Sequence, residues 1–134
     1  MAGLVVDTDV VSFNFKRDTR ANLYHPHMVG KILVISFMAL AELDLWVLER
    51  QWGRKRKLRL EQRIRHYVVH PFNRVLCLKW AEATYSARRN GQPIQTGDAW
   101  MAATALALDI PLVTHNPGDY AGVDGLKVVS EANQ

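Results

Sequence analysis

An α/β domain built on a mostly parallel sheet is the fold class this sequence predicts, and three observations predict it. Short β-branched apolar runs at residues 4–6, 32–35 and 111–113 alternate with longer stretches of helical periodicity. Acidic residues follow these runs at or soon after their carboxyl ends, which is where open α/β sheets bind ligands. The chain has 134 residues, 49% of them hydrophobic, which is enough for one buried core without disulfides or a structural metal.

The elements follow in order. Leu4-Val5-Val6 reads as a buried strand ending at Asp7, with Thr8 placed to cap a short helix. Asp18 and Thr19 offer a second helix start and Gly30 its stop. Residues 32–35 form a second strand, and Ser36 is an N-cap for a helix reaching about Trp52. Phe37, Leu40, Ala41, Leu45, Leu48 and Trp52 give that helix its expected apolar face. Gly53 interrupts it, and a basic helix is expected to run on to about Val69, before Pro71. Residues 75–78 read as a third strand and residues 80–89 as a helix, closed by the turn Asn90-Gly91-Gln92-Pro93. Thr96 is expected to cap a buried, Ala-rich helix over residues 98–108. Pro111-Leu112-Val113 is a fourth strand, followed by a loop at residues 115–119 and a last strand at residues 126–129. No repeat, low-complexity tract or linker divides the chain, so one domain over residues 1–134 is expected.

Composition narrows the setting. Cys77 is the only cysteine and lies in an apolar run, as expected of a core thiol in a reducing compartment. The longest apolar stretch, residues 32–41, is far short of a membrane span, and the N-terminus lacks the pattern of a secretion signal. A cytoplasmic protein is expected. Net charge is +4, but residues 50–65 hold eight cations (Arg50, Arg54, Lys55, Arg56, Lys57, Arg59, Arg63 and Arg65) against Glu61 alone. That segment carries +7 and the remainder −3, a basic block on a mildly acidic body that suits a polyanion. A solvated helix face explains the same run equally well.

Asp7, Asp9, Glu42, Asp98 and Asp119 are the candidate site acids. Most have a plain structural account. Asp7 and Asp9 suit a turn or cap, Asp98 suits the first turn of a helix, and Asp119 suits an Asx-turn. Glu42 is harder to explain that way, because it sits among Ala39, Leu40, Ala41, Leu43 and Leu45. Carboxylates brought together repel and raise one another's pKa unless a cation neutralises them. Mg²⁺ or Mn²⁺ takes oxygen ligands, activates water and stabilises charge on a phosphate. An acidic pocket beside a basic helix therefore suits a phosphodiester substrate. The chain shows no Cys/His spacing for zinc, no Gly-rich phosphate loop and no GxSxG elbow.

Four blocks carry a family resemblance: Val5-Val6-Asp7-Thr8-Asp9-Val10-Val11, Ala41-Glu42-Leu43, residues 98–106 beginning Asp98-Ala99-Trp100-Met101-Ala102, and residues 111–120 ending Pro117-Gly118-Asp119-Tyr120. In order and spacing they resemble the PIN-domain ribonucleases, specifically the VapC toxins of bacterial toxin–antitoxin pairs. The resemblance implies a three-layer α/β/α fold. It implies a Mg²⁺- or Mn²⁺-dependent endoribonuclease site built from Asp7, Glu42, Asp98 and Asp119, with Thr8 and Asn116 as supporting polar groups. It implies an RNA substrate, a VapB-like antitoxin, and a homodimer or a toxin–antitoxin hetero-oligomer. The cations Arg50, Arg54, Lys55, Arg56, Lys57 and Arg59 are the candidate RNA-binding residues.

The sequence departs from the family pattern in three places. Asp9 stands where these toxins commonly have Asn, which predicts an extra negative charge in the pocket. Asn116 and Asp119 compete for the fourth position, and the helix after Glu42 continues Asp44-Leu45-Trp46, where many relatives have a small residue. His115 adjoins the site as either a phosphate contact or an ordinary loop histidine. Trp46, Trp52, Trp80 and Trp100 fit core or interface packing better than base stacking. The alternative function is a non-catalytic PIN-like RNA-binding or scaffold module. A DNA-cleaving variant and a phosphoryl-accepting regulator stand further off.

Overall fold

The computed structural model describes residues 2–133. Five parallel strands form one sheet: β1 (Gly3–Val6), β2 (Ile32–Ser36), β3 (Val68–His70), β4 (Leu112–Val113) and β5 (Val128–Val129). Their order across the sheet is β3-β2-β1-β4-β5. The chain lays down β1, β2 and β3 toward one edge, then returns to place β4 and β5 on the other side of β1. The direction of winding reverses between β1 and β4, and a crevice opens at such a reversal beyond the strand ends. Register fixes which residues meet there. Val6 pairs with Val113, so the chain leaves both strands at the same level, toward Asp7 on one side and Thr114 on the other.

Six helices flank the sheet: α1 (Thr8–Lys16), α2 (Ala21–Met28), α3 (Phe37–Glu49), α4 (Arg54–Ile64), α5 (Arg74–Arg89) and α6 (Thr96–Leu108). Helices are expected to cover a parallel sheet, because its strands are apolar on both faces. Leu4, Val5, Val6, Val34, Ile35, Leu112 and Val113 are accordingly buried. Helix α6 packs against β1, β2 and β4 and against α3 and α5, and Ala99, Ala102, Ala103 and Ala105 let it approach closely.

Several expectations need correction. The third strand lies at Val68–His70, overlapping the end of the stretch assigned to the basic helix, and residues 75–78 are helical. Asn73 decides the second point. Its side chain accepts from Leu76 N at 2.9 Å and starts α5, which buries Leu76, Ala83 and Ala87 along one face. Cys77 is consequently only half-buried on that helix. The cap of α1 is Asp7, whose Oδ1 accepts from Thr8 N at 2.7 Å. Helix α6 starts at Thr96, one residue after an N-cap at Gln95 that makes no side-chain bond. Ser36 caps α3 as expected, accepting from Met38 N at 3.0 Å. The buried face of α3 is Ala39 and Leu43, while Leu45 and Leu48 are exposed. Nearly every face of α3 carries apolar residues, so periodicity alone did not select the buried one.

After β4 the chain makes a short 3₁₀ turn at Pro117–Tyr120, and the segment that follows is pinned onto the end of α5. Asn90 Nδ2 donates to Gly122 O at 2.8 Å and to Asp124 Oδ1 at 2.9 Å. Gly122 is required by this approach. A Cβ there would lie 2.7 Å from Gln92 O and 3.0 Å from Ala87 Cα. Gly122→Ala is therefore expected to destabilise the protein by about 1–3 kcal/mol, read as a lower melting temperature. A melting temperature equal to wild type would show that the segment shifts freely.

Candidate active site

Asp7, Thr8, Asp9, Glu42, Trp46, Asp98, Asn116 and Asp119 line one cavity of about 180 Å³. The four acids that the family resemblance implies, with Asp9, Thr8 and Asn116, are thus brought together at the β1/β4 reversal. Each arrives on a different element. Asp7 ends β1, Glu42 projects from α3, Asp98 lies in the first turn of α6, and Asp119 sits on the 3₁₀ turn.

Asp7 is the most enclosed of them, 8% exposed. Its Oδ1 accepts from Thr8 N, while its Oδ2 accepts from Thr114 Oγ1 and from Tyr120 OH, both at 2.8 Å. A carboxylate offers about two acceptor positions per oxygen. Oδ2 is therefore fully used, and Oδ1 keeps one position free. Burial, followed by the nearby Asp9 charge, pushes the Asp7 carboxyl up to about 7 despite these three donors. Burial also raises Asp9, Glu42 and Asp98. Asp98 and Asp9 push Glu42 further, and Asp119 and Asp9 do the same to Asp98.

Asp9 supplies the extra negative charge expected in the pocket, and it also does structural work. Its Oδ2 accepts from His115 N at 3.0 Å and Asn116 Nδ2 at 2.8 Å, tying the loop after β4 to α1. The Asn116 Nδ2 is thereby engaged by Asp9, while Asn116 and Asp119 both line the cavity. His115 is a packed loop histidine. Its Nδ1 lies 2.5 Å from the Tyr24 hydroxyl, and its ring meets Phe13 edge-on at 5.3 Å.

Sequence reading missed Thr114 and Tyr120 as site residues. Both are buried with their hydroxyls on Asp7, and the Tyr120 hydroxyl also comes within 3.5 Å of Asp98 Oδ1. A hydroxyl-bearing residue directly after a strand and a Tyr one position past an acid are weak signals, and only the fold shows that they converge. Trp46 packs against the core as expected and also lines the cavity. Trp52 stacks on Phe15 with ring centres 5.2 Å apart, while Trp80 and Trp100 lie against each other at 5.4 Å. Arg50, Arg54, Lys55, Arg56, Lys57 and Arg59 are all exposed. Arg50 lies over Trp46, with its guanidinium carbon 4.8 Å from the ring centre, so the basic segment begins at the rim of the acid cavity.

The donor set suits a hard divalent cation. It consists of oxygens, carries excess negative charge, and includes a Thr8 Oγ1 that is buried without a hydrogen-bond partner. Among the described residues, no group of three Asp, Glu, His or Cys side chains is gathered closely enough to ligate an ion by itself. That spacing is consistent with Mg²⁺, which usually takes one or two carboxylates directly and keeps several waters.

A doubly wound parallel sheet with a carboxylate cavity at its winding reversal defines an α/β protein whose ligand site is acidic. Comparison with known proteins makes the class specific. The PIN domain family model matches residues 4–125, and the chain belongs to that family. It is 26% identical over 129 residues to Ribonuclease VapC1 of Haemophilus influenzae, covering 92% of this chain and 93% of that protein. The structure of VapBC-1 from nontypeable Haemophilus influenzae superposes with a TM-score of 0.81 at 23% identity, covering 95% of this chain and 96% of that one. VapBC2 from Rickettsia felis, bound to a DNA fragment from their promoter, gives a TM-score of 0.82 at 19% identity, covering 95% and 97%. The expected three-layer α/β/α fold is thereby established.

Proposed function

We propose that this protein is a metal-dependent endoribonuclease acting as the toxin of a VapBC-type pair, with a VapB-like antitoxin as its partner. The observation that carries this reading is the convergence of Asp7, Glu42, Asp98 and Asp119 on one cavity of a PIN domain. The matched ribonuclease and the VapBC complexes supply the substrate class and the partner. Intact carboxylates with raised pKa values argue against a purely scaffolding role, since clustered charge costs stability and brings nothing to a module without metal chemistry. Among the described residues no helix is long and apolar enough to cross a membrane, which suits a protein that meets RNA in the cytoplasm.

The ion would be Mg²⁺ or Mn²⁺, held by Asp7, Glu42 and Asp98 directly or through waters, with Asp119 completing the set. When bound, it would supply an activated water and neutralise charge developing on the scissile phosphate. The chain's own residues prepare the place. Thr114 and Tyr120 fix the rotamer of Asp7, so that the free position on Oδ1 is held in one direction. Asp9 holds the loop that carries Asn116, and the 3₁₀ turn delivers Asp119.

The test is cleavage of single-stranded and structured RNAs by purified protein with Mn²⁺ or Mg²⁺, with EDTA, and with Asp7→Asn. Cleavage that requires the ion and vanishes in the variant is the expected result. Tight RNA binding without cleavage by either protein would instead make it a binding module.

Tyr120 is a positioning residue on this reading. Tyr120→Phe removes one donor from Asp7 and is expected to lower kcat on the order of tenfold with little change in KM. Because that donor holds the Asp7 pKa down, the acid limb of the pH–rate profile should move to higher pH. A uniform loss of activity with an unmoved pH profile would show a packing role only.

A further inference from the structure

At the other end of α1 from the acid cavity lies a second one of opposite character. It has a volume of about 280 Å³ and is lined by Phe15, Arg17, Arg59, Gln62, Arg63 and His66. Three guanidinium groups share this lining with no carboxylate among them. Among the described residues, Arg17, Arg59 and Arg63 form no ion pair, and the ion pairs present lie elsewhere. Arginines gathered in this way repel one another unless an anion lies between them, and their planar forks match phosphate oxygens.

Arg17 reaches this cavity from the end of α1. It ends α1 in the left-handed conformation, at φ 56° and ψ 36°. Glycine, or sometimes Asn, is the usual residue at such a helix end, because any other side chain crowds its own backbone there. Gln51 and Asp109 adopt the same left-handed geometry, Asp109 at the end of α6, so it is the arginine placed there and not the strain that marks the cavity.

A continuous track joins the two cavities. Trp46 lines the acid cavity, and Arg50 lies over its ring at 4.8 Å with Lys16 at 5.6 Å. Next along the surface, Arg56 lies 4.2 Å over Trp52, which stacks on Phe15. Phe15 lines the basic cavity, and Arg59 sits 5.2 Å over its ring. The rings in this row are packed and covered, Phe15 being 5% exposed, so they hold the cations in place and the cations follow a strand's phosphates.

We propose that the cavity formed by Arg17, Arg59 and Arg63 is a phosphate subsite that holds an RNA phosphodiester further along the strand from the scissile one, reached along the Lys16–Trp46–Arg50–Arg56 track. The inference rests on the ribonuclease reading of the acid cavity and assigns that site the path of its substrate. The cations nominated from the sequence divide accordingly. Arg50, Arg56 and Arg59 stack along the track, and Arg17, Arg63 and Lys16 join them from outside the nominated set.

The test is fluorescence anisotropy of a fluorescein-labelled single-stranded RNA of about 12 nucleotides, titrated in EDTA so that nothing is cut. Arg17→Gly and Arg63→Gln are each expected to weaken binding about 3- to 10-fold and to reduce the slope of log K against log salt by about 0.7. Arg17→Gly should at the same time melt higher than wild type, since glycine relieves the strained helix end. Weaker binding by a more stable protein excludes misfolding as the cause. Arg88→Gln, an exposed arginine on α5 outside the lining, should leave affinity and slope unchanged. Unchanged affinity and salt slope in both cavity variants would overturn the proposal and leave the arginines to an acidic protein partner. Equal losses in the Arg88 control would overturn it too, by showing a response to net charge alone. Failure of the ribonuclease reading appears separately, as absent cleavage with metal.

Discussion

Asp7→Asn is expected to lower ion-dependent RNA cleavage by about a thousandfold or more while leaving the protein folded. The magnitude follows from the position of Asp7. It is the acid at the end of the central strand, and its Oδ1 keeps one acceptor position directed at the cavity. Removing a group that helps place the ion forfeits both water activation and charge stabilisation, and single contributions of that kind are worth about 10²–10³ each. Folding should survive. The amide is nearly isosteric, its carbonyl oxygen can still accept from Thr8 N or from the two hydroxyls, and those hydroxyls can rotate to suit it. Cleavage rates and a far-UV thermal melt on the same preparation check both halves. A variant retaining more than about a tenth of wild-type activity would remove Asp7 from the metal site.

Much of this site was legible in the sequence, for a physical reason. Strands buried on both faces must be short apolar runs, so Leu4-Val5-Val6 and residues 32–35 announce themselves, and the acids just beyond them lie at the mouth of the sheet. Glu42 was conspicuous because a carboxylate amid leucines needs a cation. What escaped notice depended on contacts distant in the chain. Val68–His70 pairs with β2 through a three-residue ladder that carries no periodicity of its own, while the apolar run at residues 75–78 imitates a strand. Thr114 and Tyr120 acquire their roles only because β4 docks beside β1, across more than a hundred positions of sequence. Asp9 shows both limits at once. Its charge was foreseen, but its grip on His115 N and the Asn116 amide was not. The same grip fixes the Asn116 side chain through its Nδ2, with Asn116 and Asp119 both lining the cavity.

In EDTA the protein is expected to lose stability as pH rises from about 4 to 7, and divalent metal is expected to restore it. Between those values folded Asp7, pushed up to about 7, keeps a proton that the unfolded chain has lost from a carboxyl of ordinary value 3.8. The native state then binds more protons than the unfolded one, so stability falls with rising pH and levels off once both forms are ionised. The span of about three pH units sets a ceiling of about 4 kcal/mol, or on the order of 10 °C in melting temperature. Asp9, Glu42 and Asp98 are raised by the same burial and push in the same direction. Asp18, held down to about 2 by Arg20, acts in the opposite sense, but its contribution is lost only below about pH 4. Asp7→Asn should flatten most of the slope and melt higher than wild type at pH 8 in EDTA. Mn²⁺ at about 100 times its dissociation constant should return roughly 2.7 kcal/mol to the wild type at pH 8 and much less at pH 5, where protons compete for the same oxygens. A melting temperature that rises with pH in EDTA would mean that the acid cluster is already relieved without an ion, and the case for a metal site would fail with it.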